Sequence, residues 1–303
     1  MEKLTIALDW TPNTNHAGLF LAQQQGLYAA AGLDVVLLSP ESEAYATTPA
    51  RRLLAGEADL AVASSETVLS YRTATTPVEV TAVAALLQDD TSAIAVLAAS
   101  GIERPAHLDG QVYASYQARF EDRIVQQLIR NDGGQGTLRL AYPPKLTIWD
   151  SLLTGQVAAT WIFQGWEGAQ AHLAGVALRT FALGDYSIPY GYTPVLVSTN
   201  ELLARKKESL TKFLHVTGRG YQLAAADVGA ATQLLAQTGL AAFADTAFIG
   251  ASLTLLQPHF LTESGEWGCM QLGKWQAFVQ WLVAQGLLVP TTYTDPEKLF
   301  VNL

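Results

Sequence analysis

The feature that most constrains the fold of this chain is an alternation of apolar strands and helices that restarts at Gly110. Two segments, LLAGEADLAVA (53–63) and LLTGQVAATWI (152–162), share one pattern. Each contains the end of a helix, a glycine, a short turn and a buried strand. Alternation of this kind predicts an α/β fold with mixed, mostly parallel sheets and flanking helices. Its recurrence indicates two similar lobes rather than a solenoid of many repeats.

The chain is predicted to pass between these lobes twice, near residues 98–102 and 197–201. Lobe 1 would then consist of residues 1–98 with 200–303, and lobe 2 of residues 99–199. Proteins with two α/β lobes bind small ligands in the cleft between them, at the carboxyl ends of strands. The loops that follow predicted strands are therefore the places to look for ligand contacts. The first such loop leads into a segment, residues 16–32, that reads as one helix closed by Gly32.

Composition excludes several function classes. The chain has 303 residues, of which 50% are hydrophobic and 15% charged, so it is not a disordered protein. Its 18 basic and 27 acidic residues give a net charge of −9, and nucleic-acid binders carry a basic footprint instead. The single cysteine, Cys269, rules out an internal disulfide or a thiolate zinc site, and the five histidines are scattered. We therefore expect no metal, no cofactor and no nucleic-acid partner.

The sequence also predicts neither a membrane span nor a signal peptide. It contains no uninterrupted apolar stretch of the roughly 18 residues that a span requires. The chain starts MEKLTIALDW, and the first strand begins almost at once. The expected location is the cytoplasm, or the periplasm or cell surface if a signal has been removed.

Polar and aromatic residues are concentrated just after the first predicted strand. The segment WTPNTNH supplies Trp10 as a flat face for a ring, Asn13 and Asn15 as amide donors and acceptors, and His16. The alternative is an ordinary strand–helix turn with Asn15 as the cap and Trp10 in the core. After the third strand, SSET offers Glu66 as an acceptor for a ligand amine. There the alternative is a helix cap with an acidic first turn.

The second lobe contains a comparable stretch, TWIFQGWEG (160–168). Trp166 and Glu167 lie beyond the predicted strand, where a ring wall and a carboxylate suit an aminopyrimidine edge. The segment GDYSIPYGYTP (184–194) adds Tyr190 and Tyr192, either as a rigid hinge or as a ligand-facing loop. No GxSxG elbow, HExxH motif or Walker loop is present, so no residue is predicted to be catalytic.

Three segments together resemble a known family: ALDWTPNTNHAGLFLA (7–22), PPKLTIWDSLLTGQVAATWIFQGWEG (143–168) and TPVLVSTNELL (193–203). They are similar to the thiamine-pyrimidine-precursor proteins of the type II periplasmic-binding-protein fold. One branch of that family consists of solute-binding proteins for formylaminopyrimidine or hydroxymethylpyrimidine. The other is a fungal-type pyrimidine synthase that consumes its own histidine and pyridoxal phosphate.

The resemblance implies the binding branch. The synthase's lysine and histidine fall on Ala63 and Thr67, and its cysteine-rich segment falls on YGYTPVLV. A Schiff base needs a primary amine, which Ala63 lacks. The implied partners are a small pyrimidine-like ligand and an ABC permease, with delivery to transport or to thiamine salvage. The resemblance carries ligand contact to nine positions: Trp10, Asn13, Asn15, His16, Glu66, Trp166, Glu167, Tyr190 and Tyr192.

Two alternatives remain open at this stage. The first is a pyrimidine-synthase-like enzyme of thiamine biosynthesis. The second keeps the fold and changes the ligand to another aromatic heterocycle such as riboflavin. A sulfonate ranks lower, because a sulfonate site favours arginine and the three motif loops contain none.

Overall fold

The computed structural model describes residues 1–291 and 294–303. Within these ranges the strands are β1 (Glu2–Ala7), β2 (Leu33–Leu38), β3 (Leu60–Ala63), β4 (Val80–Ala85), β5 (Ser92–Leu97), β6 (Val112–Ala114), β7 (Arg139–Ala141), β8 (Ala159–Phe163), β9 (Leu178–Phe181) and β10 (Val195–Thr199). The α-helices are α1 (Ala17–Gln24), α2 (Leu27–Ala30), α3 (Pro49–Leu54), α4 (Ser65–Arg72), α5 (Glu121–Asn131), α6 (Ile148–Leu153), α7 (Ala169–Leu173), α8 (Asn200–Arg205), α9 (Lys207–Ala226), α10 (Val228–Ala236), α11 (Thr246–Leu256) and α12 (Leu272–Ala284).

The chain divides into two compact units. Unit 1 comprises residues 1–90 and 191–303, and unit 2 comprises residues 91–190. The predicted boundaries, at 98/99 and 199/200, each fall one strand too late. Strand β5 pairs with β8 and β9 in unit 2, whereas β10 pairs with β3 and β4 in unit 1. From the sequence alone, each of these strands is assigned to the lobe that precedes it in the chain. Its pairing partners are distant in sequence, so the pattern does not reveal them.

Each unit is built on a five-stranded sheet of the same topology. The strand order is β2-β1-β3-β10-β4 in unit 1 and β7-β6-β8-β5-β9 in unit 2. In each sheet four strands share one direction, and the fifth, β10 or β5, runs antiparallel to both neighbours. The α/β fold with mixed, mostly parallel sheets is thus confirmed.

The repeated sequence pattern occupies equivalent places in the two sheets. In unit 1 the turn after α3 passes through Gly56, with a φ of 75°, and leads into β3. In unit 2 the turn after α6 passes through Gly155, with a φ of 72°, and leads into β8. Both turns need the left-handed conformation that glycine adopts without strain. Strands β3 and β8 pair in parallel with β1 and β6, which occupy equivalent positions in the two sheets.

The segment predicted as one helix over residues 16–32 is two helices. Helix α1 ends at Gln24, and Gly26, with a φ of 65°, starts α2. A left-handed residue breaks the run of αR backbone angles that a continuous helix requires. The predicted stop at Gly32 is confirmed, since its φ is 77° and β2 follows directly.

Helices α1 and α9 approach so closely that only glycine fits at their crossing. A Cβ on Gly220 would lie 2.0 Å from the carbonyl oxygen of Gly18, and a Cβ on Gly18 would lie 2.0 Å from the ring of Tyr221. Because a backbone oxygen cannot move aside as a flexible side chain can, the helices would have to separate. This crossing lies directly behind the loop that follows β1.

We expect Gly220→Ala to lower the free energy of unfolding by about 3 kcal/mol, the upper range for overpacking. Gly273→Ala in α12 is the matched control, because a Cβ there meets nothing within 4 Å. The control should be neutral or stabilising by up to about 1 kcal/mol, through helix propensity. Urea denaturation of both variants measures the difference. Similar stabilities of the two variants would contradict the close packing of α1 on α9.

Candidate functional site

The loop that follows β1 is organised by its own polar side chains. Asn13 caps the short 3₁₀ turn Thr14–His16, and its Oδ1 accepts a hydrogen bond of 2.9 Å from the backbone N–H of Asn15. The Nδ2 of Asn13 donates to the carbonyl of Thr11 over 3.0 Å. The cap is therefore Asn13 rather than Asn15. The side chain of Asn13 is buried, and both of these hydrogen bonds are to the backbone of its own loop.

His16 lies beneath this loop with no exposed surface. Its Nδ1 accepts a hydrogen bond from the backbone N–H of Asn13, over 3.3 Å, so the ring proton belongs on Nε2. From there it points to Oδ1 of Asp9, at 2.8 Å. Both ring nitrogens are thus engaged inside the loop. The predicted direct ligand contact of His16 does not fit this geometry, and we assign His16 the role of holding the loop in shape.

Residues from distant parts of unit 1 also hold the loop that follows β1 in place. The hydroxyls of Thr14 and Ser252 lie 2.5 Å apart, and the Tyr221 hydroxyl donates to the carbonyl of Asn15 over 2.6 Å. Tyr221 in turn stacks on Trp267 with a centroid distance of 4.7 Å. The backbone of Asn15 is therefore fixed, whereas its side-chain amide makes no hydrogen bond to the described part of the chain. This leaves the amide of Asn15 available as a donor and acceptor.

Trp10 forms an aromatic pair with Tyr45. Their ring centroids are 4.8 Å apart and their planes are inclined by 47°. Trp10 is half-buried rather than in the core, and the Tyr45 hydroxyl lies 2.8 Å from that of Thr11. Tyr45 and Ala44 have backbone φ values of 62° and 49°. Residues other than glycine rarely adopt this left-handed conformation, and those that do cluster at functional sites. Tyr45 was not predicted, because the polar segment around it gives no periodic signal.

The helix that follows β3 begins with a cap, Ser64, as the alternative interpretation of SSET expected. Ser64 Oγ accepts from the backbone N–H of Thr67 over 3.2 Å, and Glu66 lies in the first turn with 3% of its surface exposed. The hydroxyl of Ser65 is buried without a hydrogen-bond partner in the described residues, and a Cβ on Gly191 would come within 2.3 Å of it. Because β1 and β3 are adjacent parallel strands, Glu66 lies at the same edge of the sheet as the Asn13–His16 loop.

Tyr192 belongs to the core of unit 1. It is 2% exposed, its hydroxyl accepts from the backbone N–H of Gln271 over 2.9 Å, and its ring packs near Trp275 at 6.3 Å. The ammonium of Lys274 lies 5.1 Å from the centre of the ring. Ligand contact by Tyr192 is therefore not supported by its position. Because Tyr190 and Tyr192 are only two positions apart, the sequence suggested a shared role, but the two residues belong to different units.

In unit 2, strand β8 runs directly into a π-helical turn over Gln164–Gly168. Such turns are rare and often occur at functional sites. The turn points the carboxyl of Glu167 back to the strand end, where its Oε2 accepts from the backbone N–H of Phe163 over 3.0 Å. Glu167 is half-buried, and this burial raises its pKa to about 7. Trp166, the preceding residue in the same turn, is also half-buried.

Two tyrosines accompany Glu167 in unit 2. Tyr190 packs on Trp161 of β8 with ring centroids 5.1 Å apart. Tyr116 follows β6, and its pKa is raised first by burial and then by the negative charges of Glu167 and Glu121. Tyr116 was not predicted as a site residue. Its proximity to Glu167 depends on the pairing of β6 with β8, which the sequence pattern alone does not reveal.

The predicted contact residues therefore form two groups, one in each unit. Unit 1 brings together Trp10, Asn13, Asn15, His16 and Glu66 at the carboxyl ends of β1 and β3. Unit 2 brings together Trp166 and Glu167 at the carboxyl end of β8, with Tyr190 against the same strand. Within residues 1–291 and 294–303, no His, Cys, Asp or Glu side chains converge as a metal site. Nor is any helix in those ranges long and apolar enough to cross a membrane.

Comparison with known proteins agrees with this architecture. The alkanesulfonate-binding protein SsuA from Xanthomonas axonopodis pv. citri, solved with MOPS bound, has a TM-score of 0.72 to this chain. The two are 17% identical, and the superposition covers 100% of this chain and 99% of SsuA. At this identity the likeness establishes a shared fold. The chain thus has the two-lobed fold of the periplasmic binding proteins.

Two of the sequence relatives have names connected with thiamine or its pyrimidine precursors. A putative thiamine biosynthesis protein from Haemophilus influenzae is 27% identical over 209 residues, which are 69% of this chain and 65% of that protein. The chain thus spans just under two thirds of that relative's length. A formylaminopyrimidine-binding protein from Halalkalibacterium halodurans is 23% identical over 291 residues, 95% of this chain and 87% of that protein. The family model described as NMT1/THI5 like matches residues 13–231. Because this match covers well over half of the sequence, the chain belongs to the NMT1/THI5-like family.

Proposed function

We propose that this protein binds a thiamine pyrimidine precursor, of the formylaminopyrimidine or hydroxymethylpyrimidine type. The observation that carries the proposal is the carboxyl of Glu167. It is half-buried at a strand end and accepts a backbone hydrogen bond from Phe163. A carboxylate has about four acceptor positions, so an exocyclic amine can be accommodated as a further donor. Its raised pKa also lets the carboxyl donate a proton to a ring nitrogen.

Aromatic side chains in both units support a flat heterocyclic ligand. The Trp10–Tyr45 pair in unit 1 and the Trp161–Tyr190 pair in unit 2 each offer a ring surface close to predicted contacts. Aromatic surfaces of this kind stack on heterocycles with offset or tilted geometry. In unit 1 the amide of Asn15 offers a further donor and acceptor at the carboxyl end of β1.

We infer that the protein holds this ligand without converting it. The residue in the synthase's lysine position, Ala63, ends β3 and carries no amine. Thr67, in the histidine position, hydrogen-bonds to Ser64 in the first turn of α4. The bound pyrimidine would be delivered to an ABC permease or to thiamine salvage, and in the transport case the protein acts outside the cytoplasmic membrane. Incubation with pyridoxal phosphate should give no stable Schiff-base absorbance, and a stable band would overturn the non-catalytic assignment.

The experiment is isothermal titration calorimetry with aminopyrimidines, riboflavin and an alkanesulfonate. We expect binding of an aminopyrimidine and a loss of about 100-fold in affinity for Glu167→Ala, because a charge-assisted hydrogen bond contributes about 1.5–3 kcal/mol. Glu167→Gln is the matched variant. It preserves size and the bond from Phe163 but removes the charge, and it should lose about tenfold. Absence of heat with every aminopyrimidine, or unchanged affinity in Glu167→Ala, would refute the ligand assignment.

A further inference from the structure

Unit 2 contains a buried carboxylate, Glu121, that the proposed binding function does not use. It is the first residue of α5 and is 3% exposed. Its Oε1 accepts from the Tyr113 hydroxyl at 2.8 Å and from the backbone N–H of Tyr116 at 3.0 Å. Its Oε2 accepts from the backbone N–H of Ala118 at 3.1 Å. All three partners donate, so the arrangement suits the ionised carboxylate.

Burial and hydrogen bonding act on Glu121 in opposite directions. Burial raises its pKa, and the bonds from Tyr116, Tyr113 and Ala118 oppose that rise. Burial, and then the negative charge of Glu121, raise the pKa of Tyr113, so this hydroxyl stays protonated as a donor. The hydrogen bonds from Tyr113, Tyr116 and Ala118 thus stabilise the negatively charged form of Glu121.

The loop between β6 and α5 is folded around this carboxylate. Gln117 has a φ of 64°, a left-handed conformation, and its backbone N–H donates to the Oγ of Ser115 over 3.0 Å. The backbone N–H groups on either side of Gln117, those of Tyr116 and Ala118, both donate to Glu121. Backbone N–H groups that converge on one point form a concave site for an anion. The occupant here is a carboxylate of the chain itself.

This loop lies beside the residue that carries the proposed function. Strands β6 and β8 pair in parallel, so the loops that follow them emerge at the same edge of the sheet. Burial raises the pKa of Tyr116, and the negative charges of Glu167 and Glu121 raise it further. Tyr116 also donates its backbone N–H to Glu121. Both carboxyl groups therefore act on the same tyrosine.

We propose that Glu121 is a specificity-determining residue: it occupies the donor set of Tyr113, Tyr116 and Ala118 as a built-in anion. A ligand carrying phosphate, sulfonate or carboxylate would have to displace a tethered carboxylate, whose effective concentration is of millimolar order or above. It would also meet the charges of Glu121 and Glu167. The protein is thereby restricted to neutral and cationic ligands. The inference rests on the proposed function only in placing the ligand at the Glu167 edge of unit 2.

The first test restores the missing anion from solution. Glu121→Ala removes a CH₂–COO⁻ group, which acetate replaces atom for atom. We expect the variant to have a lower Tm than the wild type, and 100 mM acetate to raise it by about 2 °C more than equal chloride, in a saturable manner. The wild type and the exposed control Glu103→Ala should respond alike to the two salts. An acetate response in Glu121→Ala no larger than in the wild type would overturn the anion-cradle assignment.

The second test measures selectivity, and it uses Glu121→Gln, which keeps the side chain's volume. Calorimetry compares a neutral aminopyrimidine with its phosphate ester in both proteins. We expect the preference for the neutral ligand to fall at least tenfold in the variant, and an unchanged preference would overturn the specificity role. If the wild type bound no pyrimidine, the proposed function would fail, whereas the acetate rescue would still decide whether Glu121 fills an anion cradle.

Discussion

Replacing Glu167 with glutamine should stabilise the ligand-free protein by about 2–3 kcal/mol above pH 7. Burial raises the pKa of Glu167 from its ordinary value of 4.5 to about 7 in the folded state. One pKa unit corresponds to about 1.4 kcal/mol, and the figure allows for the partial exposure of the side chain. Glutamine retains the bond from Phe163 without a charge to desolvate, so the penalty disappears.

The sign of the pH dependence follows from the raised pKa. Between pH 4.5 and 7 the folded state holds the Glu167 proton more tightly than the unfolded state. Stability from this group is therefore fully present below pH 4.5 and is lost as the pH rises through 7. The stability difference between Glu167→Gln and wild type should be small near pH 4.5, grow up to about pH 7, and stay constant above it.

Denaturant titrations at pH 5, 6, 7 and 8 measure this difference, with the exposed Glu103→Gln as the matched control. The control should follow the wild type at every pH. A variant that gained no stability between pH 5 and 8 would show that Glu167 has an ordinary carboxyl environment. A gain in stability together with the expected loss of affinity would show that burial of Glu167 lowers the stability of the folded protein but is needed for ligand binding.

The second large effect is expected at His16. We predict that His16→Ala lowers the free energy of unfolding by about 3 kcal/mol. The substitution leaves a cavity in a fully buried position, and it deprives the backbone N–H of Asn13 and the carboxylate of Asp9 of their partner. Cavities of this size cost about 2–5 kcal/mol, and an orphaned buried donor adds about 1–3. The estimate lies low in that range because Asp9 can turn to solvent.

His172, an exposed histidine in α7, provides the control for this prediction. His172→Ala should change stability by less than about 0.5 kcal/mol. Because His16 holds the loop that presents Asn15, ligand affinity should fall in His16→Ala even where the protein is folded. If His16→Ala were as stable as the control but lost ligand affinity, His16 would be a direct contact after all.

Local pattern predicted the parts of this molecule that depend on local sequence. The glycines at 56 and 155 and the Ser64 cap are recognisable because turns and helix starts need particular backbone conformations. The positions of Trp166 and Glu167 just past an apolar strand placed them correctly at a sheet edge. These predictions needed no knowledge of which strands pair.

The remaining features depend on contacts between distant residues. Tyr45 reaches Trp10 from a polar segment without periodicity, and Tyr116 meets Glu167 only because β6 pairs with β8. Burial likewise separates Tyr192 in a core from Tyr190 two residues earlier, although both look alike in sequence. The predicted boundaries of the two units differ from the observed ones for the same reason, because β5 and β10 pair with strands far along the chain.

The most direct test of the account is a competition observed by native mass spectrometry. The purified protein is mixed with equimolar hydroxymethylpyrimidine, riboflavin and an alkanesulfonate, and the bound mass is read from the intact complex. The account predicts one non-covalent pyrimidine adduct per chain, lost in Glu167→Ala. An adduct of flavin or sulfonate, or a chain that stays free of all three at ligand concentrations far above a micromolar Kd, would contradict it.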